Sequence, residues 1–394
     1  KFSVKNQKDF IKQMKLFKKI CIISSTRADY GLFKDLIKEI RKNSFFKTSL
    51  LVTGSHLSKK HGFTVKEVKK DKVFINYQAS IISGDNVIQT SSKALIKYGN
   101  IFKNSQPDLI LILGDRYEIL CAAYVAVLMQ IPIAHFHGGE LTLNSYDNQF
   151  RHAISKLSNI HFASTKKNKQ RLIQMGEEPT RVFNVGSIGL DKIKSIKLYT
   201  RDEIQKITKI QLHNNIILFT FHPETLNAKQ TIKNISICLE SLKYFKNFQI
   251  IITLPNNDLG SFKIIKIIKN FCKKNNNFNY FSSLGRKLYL SCVKQSNIVV
   301  GNSSSGIIEV PSLKKVTLDL GDRQKGRERS ASIFHCNIKK KLIIKNIKKI
   351  NKLNINNNFR NPYYKKDSIK KVIGILNKID LNKIKKNNFK DLIK

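Results

Sequence analysis

At 394 residues the chain exceeds one ordinary hydrophobic core, so two domains are expected. Hydrophobic residues make up 41%, enough for two cores, yet no apolar run reaches the ~18 residues that would cross a bilayer. The formal charge of +45 invites a nucleic-acid partner. The lysines, however, are spread along helices and loops beside abundant Ile and Asn, with no basic stripe interleaved with aromatics. They are read as a solvated face, with no nucleic-acid partner and no membrane contact.

Residues 1–13 precede Met14 and hold too short an apolar stretch for a signal peptide. They fall within an N-terminal extension, residues 1–18, and residues 1–13 are read as dispensable to the fold. From Lys19 a strand–turn–helix pattern repeats. KICIISS (19–25) leads to a helix at 30–42 and then SLLVTG (49–54). NYQASII (76–82) leads to a helix at 87–104, and DLILILG (108–114) to a helix at 117–129. IPIAHFHGG (131–139) precedes a helix from about Asn148, and NIHFAS (159–164) one at 166–175; RVFNVG (181–186) closes the series. Near-continuous apolar strands between amphipathic helices indicate a parallel sheet covered on both faces.

A polar, lysine-rich connector at 191–213 separates a second series: NIILFTFH (215–222), FQIIITLP (248–255), FNYFSS (278–283), NIVVGNSS (297–304) and KVTLDLG (315–321). The fold class is therefore α/β, with two doubly wound, Rossmann-like domains at 19–190 and 191–366. An amphipathic helix at 367–394 is expected to cross the domain boundary. The six scattered cysteines (Cys21, Cys121, Cys238, Cys272, Cys292, Cys336) lack metal or redox spacing and fit reduced thiols in a cytoplasmic protein.

Ligands of such sheets lie beyond the carboxyl ends of the strands, and with two domains in the cleft between them. Four stretches occupy those positions. SSTRADYG (24–31) lacks the dinucleotide glycine fingerprint. Asp29 there suits a helix cap, whereas Arg27 has no local structural role and suits a phosphate or ribose. LGDRYE (113–118) places Asp115 directly after a strand, with Arg116 beside it; Glu118 falls inside the helix.

HFHGGELTLNSYDNQFRHAI (135–154) brings two histidines two apart on a strand, a glycine pair, Glu140 and Asp147, and then Arg151 and His152 at a helix start. That set suits either a two-His-one-carboxylate metal site or a metal-free acid/base pocket. Arg151 is placed to hold a carboxylate, and His152 equally suits packing. The fourth stretch joins FTFHPET (219–225), with His222 at a strand end, to GNSSSGIIEVPS (301–312). Serines and glycines before a helix bind phosphate through backbone N–H groups and hydroxyls, and Glu309 farther along can accept two ribose hydroxyls. LGDRQKGRERS (320–330) adds Arg323, Arg327 and Arg329 as a further anion-facing loop.

TRADYG, GDRYE, HGGE…D…RHAISKLS, TFHPET, GNSSSGIIE and GDRQKGRE, in this order, resemble the hydrolysing UDP-N-acetylglucosamine 2-epimerases of sialic-acid-type sugar synthesis, from about Lys19 to Cys336. With no kinase domain following, the likeness is to the stand-alone bacterial enzymes. The resemblance implies a glycosyltransferase-B fold and a UDP-sugar in the cleft. It implies neither metal nor cofactor, and a homo-oligomer, dimer or tetramer. Carried onto this chain, it assigns Ser303 and Ser304 to the diphosphate and Glu309 to the ribose, assisted by Arg27 and Arg323. Asp115, Glu140, Asp147 and His222 surround the sugar as catalytic candidates, and Arg116 and Arg151 count among the substrate-binding ones. Asn148 departs from the family pattern, in which a second acid often stands there.

The implied reaction is loss of UDP with proton removal from carbon 2, then rehydration of the glycal to N-acetylmannosamine. The alternatives are the same reaction on a UDP-2,4-diacetamido-2,4,6-trideoxy sugar, on the legionaminic acid route, and a retaining glycosyltransferase.

Overall fold

The computed structural model describes residues 17–394 apart from 85, 144, 225–227, 256–259, 354–358, 387–388 and 392–394. Chain order in the first half is β1 (Lys18–Ser24), α1 (Arg27–Arg41), β2 (Phe46–Thr53), α2 (Val65–Lys70), β3 (Tyr77–Ala79), α3 (Val87–Ser105), β4 (Leu109–Leu113), α4 (Tyr117–Leu128), β5 (Ile133–Phe136), α5 (Asp147–Leu157), β6 (Ile160–Ala163), α6 (Lys166–Gln174) and β7 (Val182–Asn184). The seven strands form one sheet in the order β3-β2-β1-β4-β5-β6-β7. Every pairing is parallel, Ile20 facing Leu109 where β1 meets β4.

Local chemistry explains the elements. On α1, Phe33, Leu36, Ile37 and Ile40 follow the i, i+3, i+4, i+7 spacing and are all buried. Each such side chain contributes about 1.5–3 kcal/mol by leaving water. β4 is LILIL, buried at all five positions because helices cover both faces.

The second half runs α7 (Arg201–Thr208), β8 (Asn215–Thr220), α8 (Ala228–Leu242), β9 (Phe248–Thr253), α9 (Ser261–Lys273), β10 (Phe278–Phe281), α10 (Gly285–Gln295), β11 (Ile298–Gly301), α11 (Ser304–Ile308), β12 (Thr317–Leu320), β13 (Ile333–Cys336), α12 (Lys340–Lys352), α13 (Ser368–Lys378) and α14 (Leu381–Ile384). Its sheet has the order β10-β9-β8-β11-β12-β13 and is again parallel throughout. In each sheet the strand order reverses once, between β1 and β4 and between β8 and β11. A doubly wound sheet opens a crevice at such a point.

Three local readings change. The connector holds a helix, α7, opened by a capping box in which Thr200 and Glu203 exchange hydrogen bonds. The stretch 367–394 is not one helix: Asp380 adopts an extended conformation and its carboxylate accepts from Asn382 N at 3.0 Å, which ends α13 and starts α14. Strand β5 stops at Phe136, and His137 takes a left-handed φ of 64°, so His135 and His137 do not share a strand face.

The end of the chain returns to the first sheet. Ile369, Val372, Leu376 and Ile384 pack in the cluster that contains Ile20, Phe33 and Ile37. Ser368 Oγ donates to Val185 O at 2.7 Å, and Ser187 N donates to the carbonyl of buried Tyr363 at 2.8 Å. No described helix is long and apolar enough to cross a membrane.

Candidate active site

After β1, Thr26 caps α1 and Asp29 completes a capping box, accepting from Ser25 N and Thr26 N at 2.8 Å each. Asp29 is thereby consumed by the turn. Arg27, at the first helical position, reaches the other domain and donates from Nη1 to Ser282 O at 3.1 Å. Burial lowers its pKa, opposed by Glu67, which raises it.

The strand ends of β4 and β5 meet through one guanidinium. Arg151, from the first turns of α5, is 2% exposed. It donates to the Asp115 carboxylate, to Glu140 O at 3.0 Å and to Thr142 Oγ1 at 3.0 Å. Burial lowers its pKa first, and the guanidinium groups of Arg327 and Arg323 add to that. Asp115 keeps a quarter of its side chain exposed.

Glu140 is almost fully buried and accepts from His137 Nδ1 at 2.8 Å and Ser164 Oγ at 2.6 Å. Arg327 of the C-terminal domain lies 2.9 Å from its other oxygen. Burial pushes the Glu140 carboxyl up, but Arg327 and then His137 pull it down to about 2. His135 is turned away, with Nε2 2.8 Å from Gly114 O and Nδ1 3.2 Å from Ser155 Oγ. Burial drops its pKa to about 3, so it stays neutral.

Asp147 opens α5 half-buried, its N–H donating to Ser145 Oγ at 3.3 Å. The neighbouring Asn148 accepts from Thr142 N at 3.1 Å, which ties down the loop between Glu140 and the helix. His152 is half-buried, with a pKa lowered by burial and by Arg151 and Arg171. Arg116 folds onto Glu118 at 2.6 Å.

In the other domain, Gly301 ends β11 with φ of 139°, and a Cβ there would collide with the carbonyl of Thr220. Only glycine lets β11 and β8 approach so closely. Asn302 follows and brackets His222: His222 N donates to its Oδ1 at 2.7 Å, and its Nδ2 donates back to His222 O at 2.9 Å. Ser303 caps α11, and Ser303 and Ser304 both stay half-exposed at the turn. The helix is shorter than its sequence suggests: it ends at Ile308, and Glu309 is its C-cap, accepting from Ser305 Oγ at 2.7 Å. Arg323 and Gln324 donate to Asn302 O at 3.2 and 2.8 Å.

The structure thus gathers Asp115, Glu140 and Arg151 into one cluster on the N-terminal domain. It gathers His222, Ser303, Ser304 and Arg323 around Asn302 on the C-terminal domain. Arg116 is turned aside to Glu118. Of the anion-facing arginines only Arg323 stays at the serine turn, since Arg327 meets Glu140 and Arg329 meets Asp319 at 2.7 Å. Sequence reasoning missed Asn302 and Gln324, and the one available signal was an amide wedged between the strand's terminal glycine and the serines. Chemically, one wall offers hydroxyls and N–H groups at a helix start, and the other offers fixed carboxylates braced by guanidinium groups.

The sequence profile of UDP-N-acetylglucosamine 2-epimerase matches residues 38–377. The chain belongs to that family. The chain is 40% identical over 325 residues, covering 82% of this chain and 85% of the other, to a Campylobacter jejuni GDP/UDP-N,N'-diacetylbacillosamine 2-epimerase (hydrolyzing). It is 36% identical over 382 residues, 95% of this chain and 97% of the other, to polysialic acid biosynthesis protein P7 of Escherichia coli. Its fold matches that of UDP-GlcNAc 2-epimerase from Neisseria meningitidis bound to UDP-GlcNAc, with a TM-score of 0.78 and 20% identity over 92% of this chain and 100% of that one. The chain has the two-domain, glycosyltransferase-B-like architecture, and it is a UDP-N-acetylglucosamine 2-epimerase-type enzyme.

Proposed function

We propose that the protein is a hydrolysing 2-epimerase that converts UDP-N-acetylglucosamine and water to UDP and N-acetylmannosamine. The observation that carries this reading is the Asp115–Arg151–Glu140 cluster, with Asp115 at the first sheet's switch point, together with the Ser303–Ser304 turn at the second's. On this reading the diphosphate sits on Ser303 and Ser304 with Arg323 and Arg27 assisting, and Glu309 takes the ribose hydroxyls.

The hydrogen on carbon 2 is barely acidic, so bond breaking at carbon 1 drives its removal. The electron pair of the C1–O bond leaves with the β-phosphate of UDP, stabilised by N–H groups and guanidinium groups. A carboxylate takes the carbon-2 proton, giving a glycal. Water then adds at carbon 1, and a proton returns to carbon 2 from the opposite face. Glu140, held near pKa 2, is a weak proton acceptor and a strong fixed negative charge, suited to stabilising the oxocarbenium character of carbon 1. We assign the proton steps to Asp115, Asp147 and His222, which follow β4, open α5 and follow β8 respectively. Arg116, turned to Glu118, has a supporting role at most in this scheme.

A second reading is favoured by the name of the 40% identical relative: the same chemistry on UDP-N,N'-diacetylbacillosamine, a 2,4-diacetamido-2,4,6-trideoxy sugar. One experiment separates the readings. The protein is incubated in deuterated water with each UDP-sugar, with and without chelator. The first reading expects UDP, free N-acetylmannosamine deuterated at carbon 2, and activity that survives the chelator. Turnover of the trideoxy sugar alone selects the second reading, and UDP release without deuterium at carbon 2 would refute the elimination step in both.

A further inference from the structure

The outer side of the first sheet carries a surface with an unusual charge pattern. Lysines and arginines number 72 in the chain, yet no lysine falls between Lys103 and Lys156, and from Ile119 to Gln130 no residue is charged. α4, packed between α3 and α5, spans most of that second run. Its solvent-facing positions are Leu120, half-buried, and Tyr124, Val127 and Leu128, all exposed, with Met129 following at its end. These four positions follow the i, i+4, i+7, i+8 spacing of one helix face. The outer stripe of such a helix ordinarily carries charge, as α9 does with exposed Lys263, Lys266, Lys269 and Lys273.

α3 extends the apolar surface. The Cys121 thiol of α4 is hydrogen-bonded to Ser91, which fixes the side of α3 that turns toward α4. At ~100° per residue, Leu95 and Gly99 continue that side, and Ile88, Ser92 and Ile96 form the next row outward. Ile88 is 79% exposed, Ile96 64% and Leu128 67%. Lys93 and Lys97 stand on the flank of α3 away from α4. Gly99 lies inside a 19-residue helix, where glycine costs about 0.5–1 kcal/mol relative to alanine. A Cβ there would meet nothing within 4 Å in this chain. Packing within one chain gives no reason for a glycine at that position, whereas the close approach of another surface does.

We propose that the α3–α4 face is where two copies of this chain pair about a two-fold axis. Ile88, Ile96, Tyr124, Val127, Leu128 and Met129 leave several hundred Å² of side chain open, approaching the ~800 Å² that each partner buries in a standard interface. The charge of the chain selects the partner. At +45, two copies repel wherever their lysines meet, and a lysine-free face spares them that repulsion. An acidic protein or an anionic membrane is drawn instead to the lysines on other faces. A second copy presents the same uncharged stripe, so the surface is complementary to itself, as a two-fold pair requires. Interface cores are likewise depleted in lysine and enriched in Tyr and Met. Pairing at this face is independent of the reaction proposed above.

The test is the mass of the full chain by sedimentation velocity from nanomolar to micromolar concentration. Wild type is expected to run at twice the mass of one chain at micromolar concentration. Leu128→Glu and Ile88→Glu each bring two carboxylates into the apolar interface, one per copy, and should weaken pairing on the order of a thousandfold. Ile88 is so exposed that a charge there leaves the fold of the single chain intact. Phe262→Glu removes a comparably exposed apolar side chain from α9 of the other domain and should leave the dimer unchanged. Hydroxyl-radical labelling reads the same face without a substitution. Tyr124 and Met129 should be protected at micromolar concentration and labelled after dilution, whereas exposed Tyr244 of the other domain is labelled at both.

A wild type of single-chain mass at micromolar concentration overturns the pairing. Protection of Tyr124 and Met129 at every dilution, lost when residues 1–16 are deleted, also overturns it, because the cover is then the chain's own leading segment. So does capture of a monomeric wild type by phosphatidylserine vesicles that Leu128→Glu abolishes. A dimer that survives both Leu128→Glu and Ile88→Glu places the interface elsewhere and refutes the assignment.

Discussion

Replacing Glu140 by Gln keeps shape and the hydrogen bond from Ser164 but removes the negative charge that faces His137 and Arg327. The carboxyl is held down at about 2, well below the usual carboxylate range, because Arg327 and His137 outweigh the effect of burial. Measured from the ordinary ~4.3 of a glutamate at ~1.4 kcal/mol per pH unit, this amounts to on the order of 3 kcal/mol of folding stability at neutral pH. The figure agrees with the ~3–5 kcal/mol lost when one partner of a buried pair is removed. The sign follows from linkage. The folded pKa lies below the unfolded one, so the contribution is complete above about pH 4.5 and is lost as pH falls toward 2.

The stability difference between wild type and Glu140→Gln should therefore be flat from pH 7 to pH 5. Below about pH 4.5 it should shrink by roughly 1.4 kcal/mol per pH unit. Urea-dependent hydrogen exchange of peptides from β4 and β5 reports it for the N-terminal domain alone. A variant as stable as wild type at pH 7, or a difference that grows on acidification, would refute the reasoning.

Arg151→Lys keeps the charge but cannot serve Asp115, Glu140 O and Thr142 together, so about 2 kcal/mol of stability and nearly all turnover should be lost, read by urea titration and UDP release. Gly301→Ala drives a methyl group into the Thr220 carbonyl and should cost about 1–3 kcal/mol and weaken UDP binding, both measurable by titration. Ser303→Ala removes a hydroxyl from the proposed diphosphate seat and should raise KM for the UDP-sugar about fivefold with kcat nearly unchanged, about 1 kcal/mol.

What could be read in the sequence follows what leaves a periodic or local trace. Runs such as LILIL and the i, i+3, i+4 spacing of α1 announce a covered parallel sheet, and from that the strand ends where Asp115, Glu140, His222 and Ser303 stand. β13, a four-residue edge strand with its burial set by β12, carries no such pattern. Cross-domain contacts leave no trace at all. Nothing near Arg327 in the sequence says that it meets a carboxylate rather than a phosphate, because Glu140 approaches it only through the packing of two separate sheets. His137 illustrates the same limit within one loop. Alternation places it on a strand face, while its left-handed turn aims it at Glu140 instead.

The return of α13 and α14 to the first sheet bears on how the chain is made. During synthesis the strands of the first sheet emerge early, but Ile369, Val372 and Leu376, which seal its core, come last. The second sheet and its helices through α12 are complete sooner and are contiguous in the chain. The domain translated second thus has all its parts first, and the older half must wait with an open hydrophobic face until the ribosome finishes. A chain that ended after Tyr364 would hold a C-terminal core with all its residues attached to an unsealed N-terminal one, a natural substrate for chaperones or proteolysis.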